Sequence, residues 1–222
     1  MSIKEFFLQI LFPSKCILCE KPLLDNENDL CKTCRSEIET FTKADHRISF
    51  VAGWTAMWYY NDIVRESLLR YKFHNHRNHG IVYGKMLAMK LMTQPLCDFD
   101  ILSWVPVSQK RYQERGFDQS EMIARAVAEE LQHPVTSVLI KTRHTRPQSG
   151  LSDASHRRAN IIGAYQVVDP QLIANKKILL IDDIITTGAT ASECSKTLLI
   201  AGAKEVYCAA VAAPNHKNKQ RR

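Results

Sequence analysis

Residues Lys177 to Thr190 read KILLIDDIITTGAT. From Lys177 to Ile181 the run is almost wholly apolar, the pattern of a strand buried on both faces of a parallel sheet, and two adjacent carboxylates, Asp182 and Asp183, follow it. The carboxyl end of such a strand is where open α/β sheets bind their ligands. After Ile184 and Ile185 comes Thr186-Thr187-Gly188-Ala189-Thr190, a hydroxyl-rich turn whose glycine can take positive φ, and then the helical run ASECSKTLLIAGA. Backbone N–H groups of the turn, the threonine hydroxyls and the positive end of the helix together suit one phosphate. The carboxylates before them can only accept hydrogen bonds or hold a cation. The order therefore predicts an α/β protein whose ligand carries a phosphate beside a vicinal diol. Neither G-x-x-x-x-G-K-[ST] nor G-x-G-x-x-G occurs in the chain.

This stretch resembles the motif of type I phosphoribosyltransferases that binds phosphoribosyl pyrophosphate (PRPP). The resemblance implies their fold, a parallel sheet flanked by helices. It assigns Asp182 and Asp183 to the ribose 2′ and 3′ hydroxyls and Thr186, Thr187, Gly188, Ala189 and Thr190 to the 5′-phosphate, with Mg²⁺ accompanying PRPP.

A second strand, turn and helix unit lies at 100–130. ILSWVPVS ends a strand at Pro106, QKRYQERGFDQ turns, and SEMIARAVAEEL is helical with Met122, Ile123, Ala126, Val127 and Leu131 on one side. The turn is basic, as a pyrophosphate would require, and the resemblance gives that role to Ser108, Gln109, Lys110 and Arg111, with Arg115 a further candidate. Between the two units, Lys141 to Tyr165 is dense in Arg, Ser, His and Gly and too long for an ordinary connection. Transferases of this type carry a mobile flap here that closes over PRPP and excludes water. Arg143, Arg146, Gln148, Arg157 and Arg158 are its candidate pyrophosphate contacts.

Cysteine usage marks a separate module. Cys16 and Cys19 with Cys31 and Cys34 make two C-x-x-C knuckles eleven residues apart, the pattern of a tetrahedral Cys₄ zinc site that supplies folding energy to a segment too short for its own core. Cys97, Cys194 and Cys208 read as small core residues. The expected organisation is an N-terminal helix and zinc segment (1–40), a phosphoribosyltransferase-like domain (41–214) and a basic tail (215–222). RSEIETFTKADH reads as a polar link, and Ile48 to Tyr60 as paired strands interrupted by Gly53. Asn61 caps the helix DIVRESLLRYKF. His74, His76 and His79 read as a solvated basic face rather than a metal site, because no Cys or acid nearby completes one. Acceptor specificity is expected from Val51 to Tyr60 and Tyr71 to His79.

The chain of 222 residues has a formal net charge of +7, which favours polyanionic partners without choosing among phosphorylated small molecules, nucleic acid and anionic lipid. No secretory signal and no run approaching the roughly 20 apolar residues of a membrane span is found, so a cytoplasmic location is expected. Phe6, Phe7, Ile10 and Leu11 recur at helical spacing ahead of Pro13. This stripe leaves two readings open: packing on its own domain, or docking on the cytoplasmic membrane or a partner.

Taken in order, the Cys₄ segment, YKFHNHRNHG, VPVSQKRYQERGFDQSEMIAR, RHTRPQSGLSDASHRRANIIGAY and LLIDDIITTGAT resemble the ComF family of competence proteins, which includes GntX-like proteins, over nearly the whole chain. Asp118 departs from the family's R-G-F-N-Q by replacing the Asn. The resemblance implies a role in natural transformation, where single-stranded DNA enters the cytoplasm beside a helicase-like ComF partner, with phosphoribosyltransferase activity left open. The alternative is a metabolic transferase that passes phosphoribose from PRPP to an amine or base.

Overall fold

The computed structural model describes residues 13–74, 76–94, 96, 98–145 and 160–215. The aromatic stripe before Pro13, Cys97, the flap residues Arg146, Gln148, Arg157 and Arg158, and the tail from 216 onward lie outside the described residues.

The order along the chain is α1 (Lys32–Glu37), β1 (Gly53–Tyr59), α2 (Asp62–Phe73), α3 (Asn78–Leu91), β2 (Ile101–Trp104), α4 (Gln109–Arg115), α5 (Gln119–Leu131), β3 (Leu139–Lys141), β4 (Tyr165–Val167), α6 (Pro170–Ile173), β5 (Lys177–Ile184), α7 (Ala189–Ile200) and β6 (Glu205–Ala213). Four strands form one parallel sheet in the order β1-β6-β5-β2, while β3 and β4 pair antiparallel in a separate ribbon. The strand that decided the fold is central, with Ile181 opposite Ala209 on β6 and Trp104 on β2.

Its apolar run is buried on both faces because side chains alternate across a strand. Leu179 and Ile181 enter a core with Leu68, Leu87, Ile123 and the zinc segment's Ile17 and Leu18. Ile178 and Leu180 enter the opposite core with Cys194, Leu198 and Ile173. Burying one such side chain contributes roughly 1.5–3 kcal/mol, so these four residues fix the strand's register. On the first face, α3 and α5 touch at Gly84, where an added Cβ would fall 2.7 Å from the Ile123 carbonyl oxygen. Only glycine permits that approach.

Asn61 caps α2 as expected, its Oδ1 accepting from the Val64 N–H at 3.0 Å. Cys194 and Cys208 are fully buried core residues, as their surroundings suggested. Four readings need correction. Residues 48–60 form one strand rather than a pair: Phe50 takes φ +66° in a turn, and Gly53 starts β1 instead of interrupting it. The basic turn at 109–115 is helical, because Ser108 caps it, QKRYQER lacks a helix breaker and Gly116 ends it in the left-handed region. The polar link is stitched down: Phe41 is buried, its N–H donates to Met57 O, and the Tyr59 N–H donates to Glu39 O. Finally, His79 leaves the solvated face. It is 8% exposed and packs edge-on to Tyr83, and burial lowers its imidazole to about 4, so it is neutral at physiological pH.

Candidate functional site

The carboxyl end of β5 delivers Asp182 and Asp183 side by side, yet their surroundings differ. The Asp182 Oδ1 accepts the Ser120 Oγ–H at 3.0 Å and the Asp183 N–H at 2.8 Å. Burial, and then the neighbouring Asp183 charge, push its carboxyl up to about 8, against those two donors and the Lys72 cation. Asp183 instead forms an ion pair between its Oδ2 and the Nζ of Lys72, with 14% and 17% of the two side chains exposed. Lys72 sits on the last turn of α2, beside the fully buried Tyr71 whose hydroxyl donates to Gln119 O at 2.8 Å. The sequence places Lys72 in the expected acceptor segment but carries no sign that it meets Asp183.

The threonine turn follows directly. Gly188 takes φ +73° and opens α7, and a Cβ there would lie 2.6 Å from Ile48 Cγ1. Both the backbone conformation and the overlying Ile48 therefore require glycine. Thr187 Oγ1 accepts from the Ala189 N–H at 3.4 Å, while Thr186, Thr187 and Thr190 are partly exposed at the mouth of the turn. The 12-residue α7 brings its positive end to this mouth.

The residues assigned to pyrophosphate lie at the carboxyl end of β2, next to β5 in the sheet. Ser108 Oγ is 2.8 Å from His144 Nδ1, and the Arg111 guanidinium donates to Thr145 O at 3.0 Å, so this loop meets the base of the flap segment. Gln109 and Lys110 are exposed. Arg143 does not face the acids. Its guanidinium donates to Asn160 O at 3.2 Å and Ile162 O at 2.8 Å, closing the two ends of the segment on each other. Arg115 stacks 4.9 Å over the Phe73 ring. With Lys72, Phe73, Glu114 and Phe117 it lines a cleft of about 410 Å³ beside the acids.

Three supporting residues escaped the sequence reading. Ser120 holds Asp182. Lys141, at the end of β3, lies 5.0 Å over the Tyr165 ring, and burial and the Arg111 charge lower its amine to about 8. Ile48 roofs Gly188. None forms a motif, because each reaches the site from a distant element. Asp118 explains itself better. Its Oδ2 accepts the Val107 N–H at 2.8 Å, and its Oδ1 accepts those of Ser120 and Glu121 at 3.0 and 3.2 Å, tying the loop after β2 to the start of α5. An Asn has one acceptor oxygen and could not serve both sides at once.

The four clustered cysteines fit zinc. Their sulfurs lie within 4.8 Å of one another, and Cys19 and Cys31 are 3.6 Å apart; a tetrahedral site with Zn–S near 2.3 Å has edges of about 3.8 Å. Burial pushes the Cys34 and Cys19 thiols up, whereas at Cys16 burial is outweighed by backbone hydrogen bonds at Cys31, Cys19 and Leu18, which bring the thiol down to about 7. The acid pair fits a directly bound divalent cation poorly. One carboxylate is already paired with an ammonium, and the other already accepts two hydrogen bonds on one oxygen, with burial holding its carboxyl above the usual range.

A larger groove of about 700 Å³ runs between the first knuckle and the α2–α3 junction, lined by Lys15, Glu27, Asp29, His74, His76 and Arg77 among others. Among the described residues no helix is long and apolar enough to cross a membrane.

A parallel sheet with flanking helices, an acid pair and glycine turn at one strand end, and a Cys₄ module define the class. The phosphoribosyl transferase domain family matches residues 118–222, and the double zinc ribbon domain family matches residues 7–45. Competence protein ComFC of Streptococcus pneumoniae is 30% identical over 191 residues, covering 86% of this chain and 77% of that protein. Competence protein F of Haemophilus influenzae is 26% identical over 218 residues, or 88% of this chain and 95% of that one. DNA utilization protein YhgH of Escherichia coli O157:H7 is 35% identical over 107 residues, 47% of this chain and 46% of that one. The chain belongs to the ComF/ComFC family of competence proteins.

Proposed function

We propose that this protein is a PRPP-binding competence protein that handles single-stranded DNA during natural transformation, in the cytoplasm and beside a helicase-like partner. The observation that carries the ligand is the pairing, at the end of one central strand, of a carboxylate couple with a glycine turn that opens a helix. Asp183, with Asp182 supporting it, would take the ribose hydroxyls, and Thr186 to Thr190 the 5′-phosphate. Ser108 to Arg111 would meet the pyrophosphate, with Arg146, Arg157 and Arg158 arriving on the flap. Magnesium would come on the pyrophosphate rather than on the acids. Arg143 would act on the flap's closed base. The competence role rests on the family, and the net charge of +7 suits a DNA partner.

Titration calorimetry with PRPP tests the ligand. The native protein should bind, and Asp182→Asn with Asp183→Asn should abolish binding while zinc content and cooperative unfolding are kept; equal binding by both would refute the assignment. Pyrophosphate release in the same samples, with and without amine and base acceptors, separates turnover from occupancy. Affinity for single-stranded DNA should fall steeply with salt as counterions are released, and a flat response would contradict the DNA role.

A further inference from the structure

We propose that Lys72 is the resident cation of the acid pair, holding Asp183 ready to accept a ribose diol with no divalent cation bound to the acids. The inference rests on the ligand reading above and specifies how that site works. A directly bound magnesium ion demands six oxygen ligands in near-ideal octahedral geometry at about 2.0–2.1 Å, drawn from carboxylates, phosphates or water. At this pair the Asp183 Oδ2 faces the Lys72 ammonium, and the Asp182 Oδ1 accepts the Ser120 hydroxyl and the Asp183 amide. A dication ligated here would have to displace Lys72 and would then lie against a partly buried positive charge.

A diol makes no such demand. An ionised carboxylate offers about four lone-pair sites. The ammonium takes one, leaving acceptors for two hydroxyl donors.

The position of Lys72 is set from several directions. On α2, the Ser67 hydroxyl donates to Ile17 O, the Arg70 guanidinium donates to Leu18 O at 2.5 Å, and the Tyr71 hydroxyl donates to Gln119 O at 2.8 Å. Those bonds tie the helix to the zinc knuckle on one side and to α5 on the other. The helix that carries Lys72 is thereby held on both sides, and from it the lysine, with 17% of its side chain exposed, reaches Asp183 on β5.

Ribose 5-phosphate is the discriminating probe, since it has the diol and the phosphate but no pyrophosphate to carry magnesium. Calorimetry should use the full-length, zinc-loaded protein in metal-depleted buffer without chelator, then with added magnesium chloride. The native protein is expected to bind equally in both. Lys72→Met should bind about tenfold more weakly without magnesium, a loss of about 1.4 kcal/mol, and recover part of it when magnesium is added, whereas Lys72→Arg should stay near native. Native affinity that depends tenfold on magnesium, or Lys72→Met binding as tightly as native without it, would overturn the proposal. Should Lys72→Met not fold, judged by zinc content and melting, magnesium independence of the native protein and of Lys72→Arg decides the matter. If the native protein binds neither ribose 5-phosphate nor PRPP, the ligand reading itself fails; if it binds PRPP but needs magnesium for ribose 5-phosphate, only the role of Lys72 fails.

Discussion

Asp182 and Asp183 share a strand end, but their environments assign them different work. Asp182 keeps a proton to higher pH than it would in the unfolded chain, so between pH 4 and 8 the folded state binds more protons and this residue's contribution to stability falls as pH rises. Asn at that position can accept from the same hydroxyl and amide without ever ionising. Asp182→Asn should therefore match the native melting temperature near pH 4 and exceed it by a margin that grows towards pH 8; a constant or shrinking margin would show that Asp182 is ionised throughout. Asp183→Asn is the contrary case. It strands a mostly buried lysine, at a cost of about 2 kcal/mol, between the limits for surface and buried pairs, and denaturant unfolding at pH 7.5 measures it. The acids themselves were plain in the sequence. Their division of labour was not, because it depends on Ser120 and Lys72, which reach the pair from α5 and α2.

At the scale of elements, β5, the glycine turn and α7 were legible because each signal there is local: a buried strand is a run of apolar residues, and a left-handed helix start needs glycine. Gly188→Ala tests that logic. The substitution forces a Cβ into the left-handed region and into Ile48, and it should cost about 2 kcal/mol or more while weakening PRPP binding through the displaced amides. Thermal melting and calorimetry on one preparation check both. Around the other turn, the local helix signals compete with a run of charge. Ser108 and Gly116 bracket α4 as a cap and a stop, and between them lie residues with no objection to a helix. Residues 48–60 failed for the opposite reason. Their β-rich composition is real, but Phe50 turns the chain before β1 and the remaining residues pair with β6 instead of with each other.

Across the whole molecule, the zinc module and the ligand site are joined by one helix. Ile17 and Leu18, the residues between Cys16 and Cys19, accept hydrogen bonds from Ser67 and Arg70 on α2, and α2 ends at Lys72 on Asp183. Cysteine spacing announced the metal centre, but nothing in the spacing announces this link, since hydrogen bonds to backbone carbonyls leave no trace in the acceptor's residue type. Removing zinc should consequently lower the melting temperature and weaken ribose 5-phosphate binding together, because the knuckle is held by its metal. Chelation followed by calorimetry reads this, and undiminished binding by zinc-free protein would break the proposed connection. The histidines show the reverse limit. His79 looked like its exposed neighbours, but the packing of α3 against Tyr83 takes it inside.

The central claim, that the phosphoribosyl site serves DNA uptake, is tested most directly by transformation frequency in a naturally competent host carrying Asp182→Asn with Asp183→Asn in its own copy of this chain. Protein level and zinc content are followed alongside. The account predicts that frequency falls to that of the deletion strain while the protein persists. Native frequency from a variant shown not to bind PRPP would contradict it.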